Sequence, residues 1–158
     1  MQEFESRTPD TDAAVPPLKE SLGFAINVAG RYMKRMLDQR LNKYGLTSMQ
    51  YVTLWSLWEC NADIPLTQLS KRLCIDNPTM SGIVDRMVRD GFLERVQDTS
   101  DRRVTHVRLT QKSLELRDAI GGIGAEIDEE TSRIIDRSLY TQVMDFLRRI
   151  TRNEHEDK

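Results

Sequence analysis

Between Pro65 and Thr110 the chain packs several structural signals into one short run, and that run leaves few folds open. PLTQLSKRL (residues 65–73) starts with a proline that opens a short helix and spaces Leu66, Leu69 and Leu73 toward one side. Cys74-Ile75 leaves room only for a tight turn. Asp76 or Asn77 then caps a second helix running to about Asp90, with Pro78 in its first turn, where a missing N–H does no harm. Met80, Ile83, Val84 and Met87 recur at i, i+3, i+4 and i+7 and define its buried stripe. Asn77, Pro78, Ser81, Gly82, Asp85, Arg86 and Arg89 point outward or flank that stripe. Gly91 ends the helix, and RVQDTSDRRVTHVRLT (residues 95–110) completes a β-hairpin that begins at Leu93.

Short helix, tight turn, second helix with a small polar face, then a hairpin is the order of a winged helix-turn-helix. In such units the second helix enters the major groove of duplex DNA and the hairpin reaches sideways along it. Asn77, Pro78, Thr79, Ser81, Gly82, Asp85, Arg86 and Arg89 are therefore the expected recognition-helix set. Asn and Ser suit base edges, and the two arginines suit phosphates. The hairpin tip lacks the Asn-Gly or Asp-Gly of a tight turn and presents adjacent arginines instead. A minor groove only ~6 Å wide admits a long, thin, weakly hydrated cation. The expectation is that Arg103 enters the groove, Asp101 holds its guanidinium, and Arg102 takes a phosphate. His106 faces solvent or phosphate. The competing reading makes these tip charges a solvated surface and the unit a winged-helix module for protein association.

The flanks are helical. Apolar residues from Leu18 to Tyr44 keep helical spacing over about 27 residues, roughly 40 Å. Gly45 stops this helix, and Thr47 or Ser48 caps another through Cys60 that buries Tyr51, Leu54, Leu57 and Trp58. So much apolar surface in a chain of 158 residues suggests burial against a second copy. Gln111 to about Glu130 forms one helical segment interrupted by Gly121, Gly122 and Gly124, and Asp136 to Arg152 forms another. The expected organisation is a mobile tail (1–17), a long helix (18–45), the winged helix-turn-helix (46–110), two further helices (111–152) and a disordered tail (153–158). The fold class is mainly α with a small β-hairpin wing.

Net charge is −2, which argues against a general polyanion binder, but the charge is polarised. Lys71 to Arg108 holds eight basic residues against six acidic ones, whereas Leu114 to Asp136 holds two against seven. Cys60 and Cys74 form neither a CxxC pair nor a metal-ligand spacing, so no disulfide framework is expected and packing is their role. With no disulfide framework, a reducing cytoplasm is the natural setting, and no signal-peptide pattern or membrane-length apolar run is found. His106 and His155 cannot assemble a metal or acid–base cluster, and Gly121-Gly122-Ile123-Gly124 lies within helix rather than after a strand. A kink is its expected role. No nucleophile–base set, metal site or cofactor loop supports an enzyme.

LTSMQYVTLWSLW (46–58) followed by PLTQLSKRLCIDNPTMSGIVDRMVRDGFLERVQDTSDRRVTHVRLTQK (65–112) resembles the MarR family of bacterial transcriptional regulators. Its most specific parts are Leu46-Thr47…Gln50, Val84-Asp85-Arg86-Met87…Asp90-Gly91-Phe92-Leu93, and Asp98…Asp101-Arg102-Arg103 before Leu109-Thr110. The resemblance implies a homodimer whose N- and C-terminal helices intertwine with the partner's and set two winged units on a pseudo-palindromic operator. It implies a repressor released by a small aromatic acid or phenolic ligand in a crevice beside the DNA-binding unit. Arg31, Tyr32, Met36, Tyr51, Trp55 and Trp58 are the expected crevice residues. Two departures stand out. Ser113 replaces the family's usual glycine, with only a local change expected at the helix start. Gly82 stands where relatives often carry arginine or another polar residue, so their base contacts do not transfer.

Overall fold

A computed structural model describes residues 17–152, so the expected tails, Pro17 apart, lie outside the described residues. Two compact units divide at Met33 and Lys34, inside the first helix. That helix, α1, runs Leu22–Leu41. It is shorter than the periodicity suggests, because Leu18–Glu20 is a separate 3-10 turn and Ser21 is extended (φ −75°, ψ 119°). The Ser21 hydroxyl accepts the Phe24 N–H at 3.4 Å, which gives the backbone an alternative to continuing the helix. At 20 residues α1 spans about 30 Å. In the first unit its Leu22, Val28 and Tyr32 are exposed.

The second unit opens on the rest of α1. Asn42–Tyr44 tightens into a 3-10 turn, and Gly45, at φ 67°, ends it as expected. Helix α2 (Ser48–Cys60) begins at Thr47 with a complete capping box, Thr47 and Gln50 each satisfying the other's backbone N–H. The Asp38 carboxylate accepts the Ser48 N–H at 2.9 Å and pairs with Lys34, whose ammonium holds it below the usual carboxylate range. Tyr51, Leu54, Leu57 and Trp58 are buried, and so are Ser48, Thr53 and Ser56.

Next come β1 (Ile64–Pro65), α3 (Leu66–Arg72), α4 (Asn77–Arg89), β2 (Leu93–Gln97) and β3 (Thr105–Leu109). Met80, Ile83, Val84 and Met87 of α4 are all buried, as are Leu69, Phe92, Leu93 and Val107. The strands form an antiparallel sheet in the order β1-β3-β2. The hairpin thus carries a third strand that periodicity did not reveal, since two residues are too few for alternation.

Thr110 caps α5 (Gln111–Ile120), and α6 (Ile123–Ser132) follows across Gly121-Gly122. The glycine run is a break between helices. Asp136 accepts the Leu139 N–H at 2.9 Å and starts α7 (Arg137–Arg152). Ser113 does more than adjust a helix start. It is fully buried, its hydroxyl donates to the Phe92 carbonyl, and its own carbonyl accepts the Trp58 indole N–H at 3.2 Å. One residue thus ties the chain just before β2 to α5 and α2, through its hydroxyl and its backbone carbonyl. No described helix is long and apolar enough to cross a membrane.

Candidate nucleic-acid interface

Helix α4 owes its start to Asp76, whose carboxylate accepts the Thr79 N–H at 2.8 Å and is held below its ordinary range chiefly by that bond. Pro78 sits in the first turn. With the stripe from Met80 to Met87 turned into the core, Asn77, Pro78, Thr79, Asp85, Arg86 and Arg89 are exposed, and Ser81 and Gly82 are half-buried. An alanine methyl at Gly82 would meet no atom within 4 Å. The helix surface is open there because the residue has no side chain, and no neighbour fills the space.

Gly91, at φ 75°, turns the chain from α4 into β2. Side chains alternate along β2, so Arg95 shares its face with the buried Leu93 and turns toward α4. There its Nε and Nη2 donate to Asp85 Oδ1 at 3.0 and 2.8 Å, and Nη2 also donates to Ser81 Oγ at 2.9 Å. Two side chains expected to be unengaged on the recognition helix are therefore tied to the wing. Its two-residue spacing from Leu93 marks the face that Arg95 occupies, although no local pattern marks its partners.

The wing tip closes without Asn-Gly because aspartates supply the turn chemistry. Asp98 Oδ1 accepts the Ser100 N–H at 2.7 Å, the Ser100 hydroxyl at 2.6 Å and the Asp101 N–H at 2.9 Å. These donors, the Ser100 hydroxyl first among them, lower the Asp98 carboxyl to about 2. Asp101 Oδ1 accepts the backbone N–H of Arg103 at 2.9 Å. The expected carboxylate–arginine link is present, but it fixes the backbone of Arg103, not its guanidinium. A peptide N–H two residues on is within reach of a short side chain that would have to double back to meet the fork. His106 departs from expectation too. Its neighbours across the sheet are Pro65 and Val96, the unforeseen β1 flanks it, and its Nδ1 lies 3.7 Å from Asp98 Oδ2 in a half-buried position.

The ion pairs sort the arginines of the winged unit into two groups. Arg72 pairs with Glu59, Arg95 with Asp85, and Arg108 with Asp63 through two nitrogens. Among the described residues, Arg86 and Arg89 on α4 and Arg102 and Arg103 at the wing tip form no ion pair. All four are exposed. The helix and the tip thus carry uncompensated positive charge, which a phosphate backbone can neutralise.

The expected crevice residues are distributed differently. Arg31 and Tyr32 are exposed in the first unit. In the second, Met36, Tyr51 and Trp58 are buried, and Tyr51 packs edge-on to Trp55 and Trp58 at ring separations of 5.6 and 6.4 Å. Trp55 stays partly exposed and lines a cleft of about 500 Å³ with Val52, Ser56, Glu59, Arg72 and Leu73. Cys60 is half-buried, and Cys74 is exposed with its backbone left-handed at φ 54°. Among the described residues no group of His, Cys, Asp and Glu is arranged to hold a metal ion.

An α4 with a polar outer face, joined through Gly91 to a three-stranded wing, defines a winged helix-turn-helix protein. Residues 46–105 match the model of the MarR family. A MarR transcriptional regulator from Methanosarcina mazei Go1 is 28% identical and superposes with a TM-score of 0.72, over 84% of this chain and 94% of that one. MepR of S. aureus, solved as a complex with DNA, is 21% identical with a TM-score of 0.78, over 84% and 98% of the two chains. BpsR of Bordetella bronchiseptica is 22% identical with a TM-score of 0.77, over 84% and 94%; its DNA binding is regulated by 6-hydroxynicotinic acid. The winged unit thus matches the MarR family, and the chain shares the fold of solved regulators of that family.

Proposed function

We propose that the chain is a homodimeric repressor that grips a pseudo-palindromic operator through α4 and the wing and is released by a small aromatic acid. The observation that carries this reading is the sorting of charges within the winged unit: among its arginines, those of the recognition helix and the wing tip form no ion pair with the described residues, whereas Arg72, Arg95 and Arg108 do. Asn77, Pro78 and Thr79 offer a small polar surface for base edges, and Arg86 and Arg89 reach phosphates. Arg103 enters the minor groove beside the operator's major-groove contacts, with Arg102 on the phosphate backbone.

Dimerisation is supported by α7, where Leu139, Val143, Phe146 and Ile150 recur at helical spacing and are all exposed. Such a stripe on one helix is suited to burial against a second copy. The ligand class is supported by BpsR, a relative controlled by a hydroxylated aromatic acid. In this chain the Trp55 cleft combines an aromatic wall with the Arg72 guanidinium, and its volume is in the range of small-molecule sites. A coupling of ~1–3 kcal/mol between cleft and wing would change operator affinity about 5–150-fold.

Duplex binding measured over a salt series tests the reading, with sedimentation to establish the dimer. Log K should fall steeply with log salt, and Arg103→Ala should weaken binding while the protein stays folded. Salt-independent, negligible DNA affinity would instead make this a winged-helix module for protein association.

A further inference from the structure

We infer that Arg95 is a positioning residue that sets the sequence specificity of the helix it touches, an inference that rests on the DNA-binding reading. The ends of α4 and β2 that meet at Gly91 are already bound by the turn, in which the Phe92 N–H donates to the Met87 carbonyl at 2.8 Å. Arg95 adds a second attachment one to two helical turns back along α4, at Ser81 and Asp85. These two residues are four apart and share one face. Two attachments along the same helix remove the wing's freedom to swing about the Gly91 turn, so recognition helix and wing meet DNA at one fixed spacing.

The same clasp changes the chemistry of α4. Asp85 is 58% exposed on a helix that faces a polyanion, and a bare carboxylate there would repel phosphate. The guanidinium places two N–H groups on its Oδ1 and offsets that charge locally. Ser81 is altered as well. Its oxygen accepts a bond from a cation, which makes its hydroxyl a stronger donor and a poorer acceptor. A donating Ser81 selects purine N7, guanine O6 or thymine O4 in the major groove and disfavours the cytosine N4 amino group. Specificity at that position thus originates partly in the wing, at a residue that need not touch a base.

The test measures affinity of the full chain for an operator selected from a random pool and for a random-sequence duplex, each over a salt series. Asp85→Asn should release the guanidinium to phosphate. Random-duplex binding should tighten and its salt slope steepen by about one, while the operator-to-random ratio falls about tenfold. Arg95→Lys keeps the charge but cannot present a rigid nitrogen edge to both partners. Its ratio should fall in the same direction, and reselection should admit cytosine at the position Ser81 reads. If both variants keep the wild-type ratio, or if operator and random affinities fall in equal proportion with a lower Tm, Arg95 is only a structural brace and the inference fails. A wild-type chain that binds no duplex overturns the DNA-binding reading itself, and does so before any variant is made.

Discussion

The Tyr51 hydroxyl accepts the Gly124 N–H at 3.0 Å and lies 3.4 Å from the Gly121 carbonyl, so one buried phenol bridges both sides of the break between α5 and α6. The two backbone groups lost their helical partners when the glycines ended α5, and the phenol supplies replacements. Burial pushes the Tyr51 hydroxyl above its ordinary value of 10, which keeps it neutral and able to donate. Tyr51→Phe keeps the ring and removes both bonds. It should destabilise the protein by about 1 kcal/mol, a fall in Tm of roughly 3 °C. An unchanged melting curve would mean that water satisfies the break equally well.

Gly124 is occupied from outside the helix. A methyl built on it would lie 2.0 Å from Trp55 Cζ3 and 2.5 Å from Cη2, so the indole rests directly on the α6 backbone. Gly124→Ala must displace that ring, at about 1–3 kcal/mol. Trp55 also borders the proposed ligand cleft, so its fluorescence should shift to the red as the ring moves toward solvent. Fluorescence and stability identical to wild type would show that the contact yields freely.

What could be read from residue order was whatever depends on neighbours a few positions away. Helix caps are local chemistry, narrowed by sequence to Thr47 or Ser48 and to Asp76 or Asn77, and the α4 stripe is a local period, so both were legible. Ser21 was not, because a serine at the head of an apolar period reads equally well as helix or cap. Arg95 was half-legible: alternation places it on the Leu93 face, but its partners lie 10 and 14 residues back on a different element. Ser113 was misjudged for a related reason. Its hydroxyl is satisfied by Phe92, 21 residues away, and no spacing rule announces such a bond. The same holds for β1, whose two residues acquire strand character only from β3.

Gly82 offers a separation of stability from function. A helix-interior glycine is less favourable than alanine by about 1 kcal/mol, and nothing obstructs a methyl at this site. Gly82→Ala should therefore raise Tm by roughly 3 °C. If the bare helix surface exists to let DNA approach closely, the same variant should bind its operator more weakly in a direct titration. A more stable protein with undiminished operator affinity would remove that explanation for the glycine.

The wing tip carries its own pH signature. Asp98 is lowered from 3.8 to about 2 by the Ser100 hydroxyl and the Asp101 and Ser100 N–H groups, with His106 contributing a smaller charge attraction. Because the folded value is depressed, the stabilisation is complete above the unfolded value and is lost progressively as pH falls from 3.8 through about 2. The amide resonances of Ser100 and Asp101 should thus hold their positions from neutral pH down to the lower part of that window. The Asp98 carboxyl carbon should titrate with a midpoint near 2. Asp98→Asn retains an acceptor but loses the charge, so it should loosen the tip at every pH and abolish the transition. A wild-type midpoint at the ordinary 3.8 would mean that the three donors do not hold this carboxylate in solution, and that the arginine-bearing tip is not pre-organised.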